Sequence, residues 1–438
     1  MDHRFFVCFA WLFIQAVCSD VQAGEWTGFH GPLADVDGDR LPVQWSPTEN
    51  IQWSSEITGY GQSSPVTWGD HVYVTSISGA MKERGHISAF HLTSGKLEWR
   101  HDFDTASQAE NNNYVSKAAP SPVVDEGGLI SLFEGGNLLA MSHDGQVLWK
   151  RNLIEDYGPI ESRHGISASL EQTMGSVFVW IERSNNPYLL AIEKKSGKTL
   201  WKKPGLGTTS WATPRLVPVK SGNHLVLSGI GLLRGLDPET GEQLWQFDDI
   251  RGNSTPTPVP LGNGQFLIGA TAGRGDADAS KAAESNGLIA IEQTKDGRFE
   301  AKFVWRARKA TSSFGSPLAH RGLAYFVNAS GVLFCHDLAS GEEKYSQRIS
   351  GSVWATPIAV GNRIYLFSKN GDVSVIESGQ RFQLLNVNNT WEQASPGPDR
   401  PSEPATRNFG GPVLYAAAIA RNQVLIRRGD RLYSVSKK

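Results

Sequence analysis

Six stretches of the chain close on a glycine, a short gap and a large aromatic residue. They run Gly95 to Trp99, Gly145 to Trp149, Gly197 to Trp201, Gly241 to Trp245, Gly297 to Trp305 with a longer gap, and Gly341 to Tyr345. The closing aromatics recur every 40 to 60 residues. Repeats of this length mean a solenoid or a propeller, because one unit cannot bury its apolar faces without its neighbours.

A second marker runs in phase with the first. Each unit opens on a small residue and usually a proline: Ser64-Pro65, Ser121-Pro122, Thr213-Pro214, Thr255-Pro256, Ser316-Pro317, Thr356-Pro357 and Gly411-Pro412. The third unit has Ala168-Ser169 there and no proline. Proline has no N–H for a strand ladder, so it belongs where a strand begins or at an edge. Alternating apolar runs follow, such as Val72 to Thr75, Leu225 to Leu227 and Ile364 to Phe367, cut by Gly-Asp, Gly-Asn and Asn-Gly turns. That pattern reads as short antiparallel strands.

The expected fold is all-β: an eight-bladed propeller of four-stranded antiparallel blades. Seven units run from Ser63 to about Asn389. The eighth is split. Residues 411–435 supply three strand-like runs and no closing aromatic, and Asn50 to Ile57 supplies the missing strand with Trp53. Joining both ends in one blade removes two open sheet edges. Seven blades is the alternative if the last segment is irregular.

Residues 1–23 read as a secretory signal peptide: Arg4, an apolar run from Phe5 to Val17, and Val21-Gln22-Ala23 before Gly24. Residues 24–48 would form an N-terminal arm and 49–438 one propeller domain. Gln15-Ala16-Val17 before Cys18 does not fit lipid attachment. Cleavage after Ala23 removes Cys8 and Cys18 and leaves Cys335 alone, with no internal disulfide. The mature chain is expected in the periplasm or outside the cell, with no transmembrane segment. With 42 basic against 44 acidic residues it lacks the positive excess of a nucleic-acid-binding surface.

These markers resemble the quinoprotein-type, PQQ-like propeller repeat, whose blades carry a motif close to Ala-x-Asp-x-x-Thr-Gly-x-x-x-Trp. The best copy is Leu236-Asp237 through Thr240-Gly241 to Trp245, with weaker copies at Ala89 to Trp99, Ala191 to Trp201 and Cys335 to Tyr345. The repeat is similar also to that of the propeller lipoprotein of the outer-membrane assembly machinery, which is not an enzyme. Trp26 to Pro32, with Leu41-Pro42 and Trp45-Ser46, resembles the lead-in of secreted bacterial PQQ-like repeat proteins. In the family's dehydrogenases, pyrroloquinoline quinone sits in the central funnel with Ca²⁺ held by Glu, Asn and Asp, often under a disulfide between adjacent cysteines. This chain has no adjacent cysteines and no segment matching the catalytic Asp context.

The loops leading into the innermost strands face the central channel. Their candidate ligand-binding residues are Tyr60, Lys117, Arg163, His164, Trp211, Asn253, Phe314, Trp354, Arg407 and Asn408, joined by Tyr114, Arg251 and Phe409. Rings beside converging polar groups suit a small-molecule site, and arginine suits carboxylate or phosphate. The same residues would also serve as a plug with solvated charges. Glu161 to Gly165 breaks the repeat and places His164 beside Arg163; it reads as an ion-pair cluster or an acid–base site. Asp35 to Asp39 departs from the EF-hand pattern and reads as a turn. Three insertions, Gln108 to Lys117, Gly273 to Gly287 and Gln393 to Pro404, would contact a partner.

The expectation is a non-catalytic binding or scaffolding module that takes a cell-envelope protein partner or a small ligand in its channel. No catalytic residue, metal or cofactor is expected. The alternatives are a divergent quinoprotein dehydrogenase using PQQ with calcium on an alcohol or sugar, and a polysaccharide-binding module.

Overall fold

Each repeat forms four short strands because its apolar alternation is cut by turn residues every few positions. The computed structural model describes residues 25–31, 36–111, 115–162, 164–208, 210–252, 255–270, 282–392 and 413–437. Eight four-stranded antiparallel sheets follow one another round a ring. Blades one to seven span residues 66–104, 123–152, 171–204, 215–247, 259–306, 318–348 and 358–389. Blade eight takes three strands from residues 414–435 and its outermost strand, Ile51–Glu56, from the other end of the chain. There Trp53 pairs with Ser434 and Glu56 with Arg431, so the ring closes as the split unit implies. The expected signal peptide, residues 273–281 of the insertion Gly273 to Gly287, and the insertion Gln393 to Pro404 lie outside the described residues.

The core lies between sheets. Phe178 and Trp180 of blade three, for example, pack with Leu225 and Leu227 of blade four. The Gly–aromatic marker serves these interfaces, and its two halves serve different ones. Gly145 sits on Trp99 of the preceding blade, Gly197 on Trp149, Gly241 on Trp201 and Gly341 on Trp305. The indole N–H then donates to a carbonyl of the following blade: Trp99 to His143 at 2.8 Å, Trp149 to Lys194 at 2.7 Å and Trp305 to Leu338 at 2.8 Å. Trp53 of the split blade does the same with Gly95 and the Leu92 carbonyl at 3.0 Å. The unit with the longer gap departs from this. Gly297 touches no neighbour, Trp245 donates to His224 of its own blade at 3.0 Å, and Phe299 meets His224 edge-on at 4.5 Å.

The opening marker is a hydrogen-bond belt. The backbone N–H of each opening residue donates to the hydroxyl of the next blade's opening residue. Ser64 donates to Ser121 at 2.8 Å, Ser121 to Ser169 at 2.9 Å, Ser169 to Thr213 at 3.2 Å and Thr213 to Thr257 at 2.9 Å. Thr257 then donates to Ser316 at 3.0 Å and Ser316 to Thr356 at 3.1 Å. Two features were not legible. In blade five the residue in phase is Thr257-Pro258, two positions after the expected Thr255-Pro256, and the strand starts at Val259. In blade three, where proline is missing, Leu170 N–H contacts the Ser121 carbonyl at 3.5 Å, a donor that proline would remove.

The N-terminal segments lie on the ring. Thr67 N–H donates to the Trp26 carbonyl at 2.8 Å and Val124 N–H to that of Thr27 at 3.1 Å. Arg363 donates to the Gly38 carbonyl at 2.6 Å, and the Tyr365 hydroxyl to the Pro42 carbonyl at 3.0 Å. The acidic stretch is a short 3-10 turn, Gly38–Arg40, capped by Asp37, which also meets Arg40 at 3.3 Å.

Candidate functional site

Antiparallel strands alternate in direction, so the loops between blades and the turns between second and third strands share one end of the ring. The candidate residues that the structure describes sit at that rim. Tyr60 meets the Tyr415 ring edge-on at 5.9 Å and its hydroxyl lies 3.2 Å from that of Tyr415. Burial, with Tyr415 and Asp430 close by, pushes the Tyr60 phenol well above its usual range, so it stays protonated. Lys117 Nζ lies 5.7 Å from the Tyr60 ring centroid.

Reciprocal backbone contacts hold Lys117 in place. Its N–H donates to Gln62 Oε1 at 2.8 Å, and Gln62 N–H donates to its carbonyl at 3.0 Å. Next to it, Ser116 N–H donates to the His164 carbonyl at 2.9 Å, and the His164 ring lies 6.1 Å from Trp211. Tyr60, Lys117, His164 and Trp211 thus form one arc across the loops leading into blades one to four.

A second arc joins blades six and seven. Phe314, 44% exposed, lies 4.7 Å from Trp354, and Lys369 Nζ is 5.2 Å from the Trp354 centroid. Trp354 Nε1–H donates to Ser352 Oγ at 3.1 Å. Arg251 instead turns back on its own loop, donating to the carbonyls of Asp248 at 3.1 Å and Ile250 at 2.6 Å. Arg163, Asn253, Arg407 and Asn408, with Tyr114 and Phe409, lie outside the described residues. The turn that breaks the third repeat is closed locally, by Ser162 Oγ–H on the Gly165 carbonyl at 2.9 Å.

Arg427 and Lys82 are buried charges at this rim that were missed from sequence. Arg427 is fully buried at the junction of blades eight and one. It donates to the Ser63 carbonyl at 3.1 Å, Ser63 Oγ at 2.6 Å and the Thr75 carbonyl at 2.6 Å. Arg427 thus stitches blade eight to blade one with a side chain. Burial pulls its pKa down to about 9, opposed by Tyr60, Asp430 and Tyr415, so it stays charged at neutral pH. The available signal was two arginines ending an otherwise apolar strand, Gln423–Arg428.

The second charge is Lys82. Its Nζ donates to the Ser116 carbonyl at 3.0 Å and to Glu134 Oε1 at 3.3 Å. Glu134 also accepts the Ala118 N–H at 3.0 Å, and burial raises its pKa against the pull of Lys82. A small cleft beside the pair is lined by Phe133, Ile160 and Ser162. Both residues lie in polar turns that read as solvated, so no local pattern marks them.

Comparison with known proteins agrees with this architecture. A family model described as outer membrane protein assembly factor BamB matches residues 26–163, 185–313 and 286–433. The assembly factor BamB of Escherichia coli K12 is 26% identical over 221 residues, covering 49% of this chain and 48% of the relative. That of Yersinia pestis is 22% identical over 255 residues, covering 58% and 56%. The chain therefore matches about half the length of these curated relatives. Among solved structures, BamB from Moraxella catarrhalis superposes with a TM-score of 0.58 at 14% identity, covering 89% of this chain and 97% of that one. Quinohemoprotein alcohol dehydrogenase from Comamonas testosteroni gives 0.59 at 10% identity, covering 95% and 81%. At these identities the two structures speak for the fold alone.

Proposed function

We propose, from the premise that this chain belongs to the PQQ-like repeat propeller family described as outer membrane protein assembly factor BamB, that it is a non-quinone binding and scaffolding module of the cell envelope. Its rim receives a protein partner. The observation that carries this reading is the division of labour at that rim. The buried charges Arg427, Lys82 and Glu134 are taken up in holding blades together, while the exposed Phe314 and its neighbour Trp354 offer ring surface beside the Lys369 cation. Rings with nearby cations are what a protein-docking surface uses as anchors.

The family's dehydrogenases use a quinone with Ca²⁺, and the non-quinone reading is supported by the side chains present. Among the described residues no three Asp, Glu, His or Cys side chains converge on a point that would hold a metal ion. Cys335 is buried in blade six between its cross-strand partners Tyr325 and Tyr345, where burial pushes its thiol up to about 11. No redox step is assigned. An envelope location fits the family and the expected export signal; no helix among the described residues is long and apolar enough to cross a membrane.

The test places a photo-crosslinking residue at Phe314 and, as a control on the opposite end of the ring, at Met174, which is 85% exposed. A single envelope protein captured from Phe314 and absent from Met174 is the expected result. Equal capture from both positions, or saturable binding of pyrroloquinoline quinone with Ca²⁺ and a rise in melting temperature, would overturn the reading.

A further inference from the structure

Blade one carries a constellation that the scaffold reading does not use. In the strands His71–Ser78, Arg84–His91 and Leu97–Asp104, pairing sets Ser78 opposite Arg84 and His86 opposite Asp102. Alternation then puts Ser78, His86 and Asp102 on one face of the sheet. Ser78 Oγ lies 2.8 Å from His86 Nε2, and His86 Nδ1 lies 2.7 Å from Asp102 Oδ1. Arg100 grips Asp102 through Nε at 2.8 Å and Nη2 at 3.1 Å, and is itself anchored by Nη1 on Thr58 Oγ1 at 2.6 Å.

The protonation pattern follows from these contacts. Burial works against ionisation of Asp102, but the hydrogen bonds from Arg100 and His86 prevail and hold its carboxyl below the usual range. An ionised carboxylate can only accept, so His86 Nδ1 carries a proton. In the neutral imidazole the Nε2 lone pair then faces the Ser78 hydroxyl. The His86 side chain is 5% exposed. Ser78 is half-buried and ends its strand at the rim, where Gly79, Ala80 and Met81 are exposed. Among the described residues the Gly79 and Ala80 amides donate to no group. The Glu83 carboxylate lies over Gly79 and accepts the Met81 N–H at 2.8 Å.

We propose that Ser78, His86 and Asp102 form a nucleophile–base–carboxylate relay that attacks small uncharged esters at the propeller rim. Ser78 Oγ adds to the ester carbonyl carbon as its proton passes to His86 Nε2. The C–O bond to the alcohol breaks, and that alcohol leaves with the proton from His86. Water, deprotonated in turn by His86, cleaves the acyl-serine, releases a carboxylic acid and restores Ser78. The Glu83 charge selects against anionic substrates, and Met81, 43% exposed, offers an apolar contact to an acyl group. Asp102 and Arg100 are positioning residues. The Arg84–Asp104 pair lies two positions along on the same face of the sheet.

The test is labelling of the full purified chain with an uncharged alkyl fluorophosphonate, read by peptide mass spectrometry beside a known serine hydrolase. One adduct on Ser78 is expected, forming faster as pH rises. His86→Gln should slow it at least about 100-fold. Asp102→Asn should shift the pH profile, which a purely structural role would not move. Ser78→Ala should melt with the wild type and stay unlabelled. Should His86→Gln fail to fold, the wild-type pH profile and Asp102→Asn decide. Absence of a Ser78 adduct while the control is labelled, or a pH-independent rate, would overturn the proposal and leave crosslinking from Phe314 unaffected.

Discussion

Replacing Gly197 with alanine should destabilise the protein well beyond the same change at Gly297. Both glycines have positive φ, +72° and +85°, so both variants meet the left-handed penalty of about 1 kcal/mol. Only Gly197 has a neighbour in the way. A Cβ there would lie 2.7 Å and 2.8 Å from Trp149 Cδ2 and Cε3, whereas one on Gly297 meets nothing. The indole cannot easily slide aside, because its N–H is held on the Lys194 carbonyl at 2.7 Å. Overpacking of this kind costs about 1–3 kcal/mol, and the strained hydrogen bond adds about 1 kcal/mol. Gly197→Ala should therefore lose about 3–5 kcal/mol, against about 1 kcal/mol for Gly297→Ala. Urea unfolding followed by tryptophan fluorescence, with matching slopes for wild type and variants, measures the difference. Equal losses at both positions would refute the idea that the Gly–aromatic marker works by docking each glycine on the preceding blade's indole.

Other outcomes follow from the belt and the buried charges. Thr257→Val removes the acceptor of Thr213 N–H and should cost about 1–2 kcal/mol, while Thr255→Val, outside the belt, should stay within about 0.5 kcal/mol; urea midpoints separate them. Lys82→Met leaves the Glu134 carboxylate buried without its cation and should cost about 3–5 kcal/mol at neutral pH. Glu134 already has a raised pKa, and losing Lys82 raises it further. The folded state then binds the proton more tightly than the unfolded chain, so the deficit should shrink as pH falls through that raised pKa and persist above it; melting from pH 4 to 8 checks the sign. Arg427→Lys keeps the charge but cannot span Ser63 and Thr75 together, and should cost about 2 kcal/mol in the same urea assay.

The blades and their closure were legible because strand alternation, turn residues and the Gly–aromatic spacing are local properties that repeat along the chain. The unit with the longer gap, Gly297 to Trp305, is the one whose glycine docks on no neighbour. The candidate rim was legible only as positions: Tyr60, Lys117, His164 and Trp211 precede strands in sequence, and their contact across neighbouring loops depends on ring geometry. Thr257 rather than Thr255 joins the belt because the register of the neighbouring blades selects it. Arg427 and Lys82 lie in segments whose composition says strand end and turn, and only packing turns them into buried charges. Ser78, His86 and Asp102 sit on three different strands at spacings that form no motif. Their hydrogen bonds exist because antiparallel pairing brings residues distant in sequence to within 3 Å on one face. Sequence thus determined the repeating unit, through short-range propensity and period. The tertiary structure decided which side chains meet, since those contacts cross between strands and blades and depend on register.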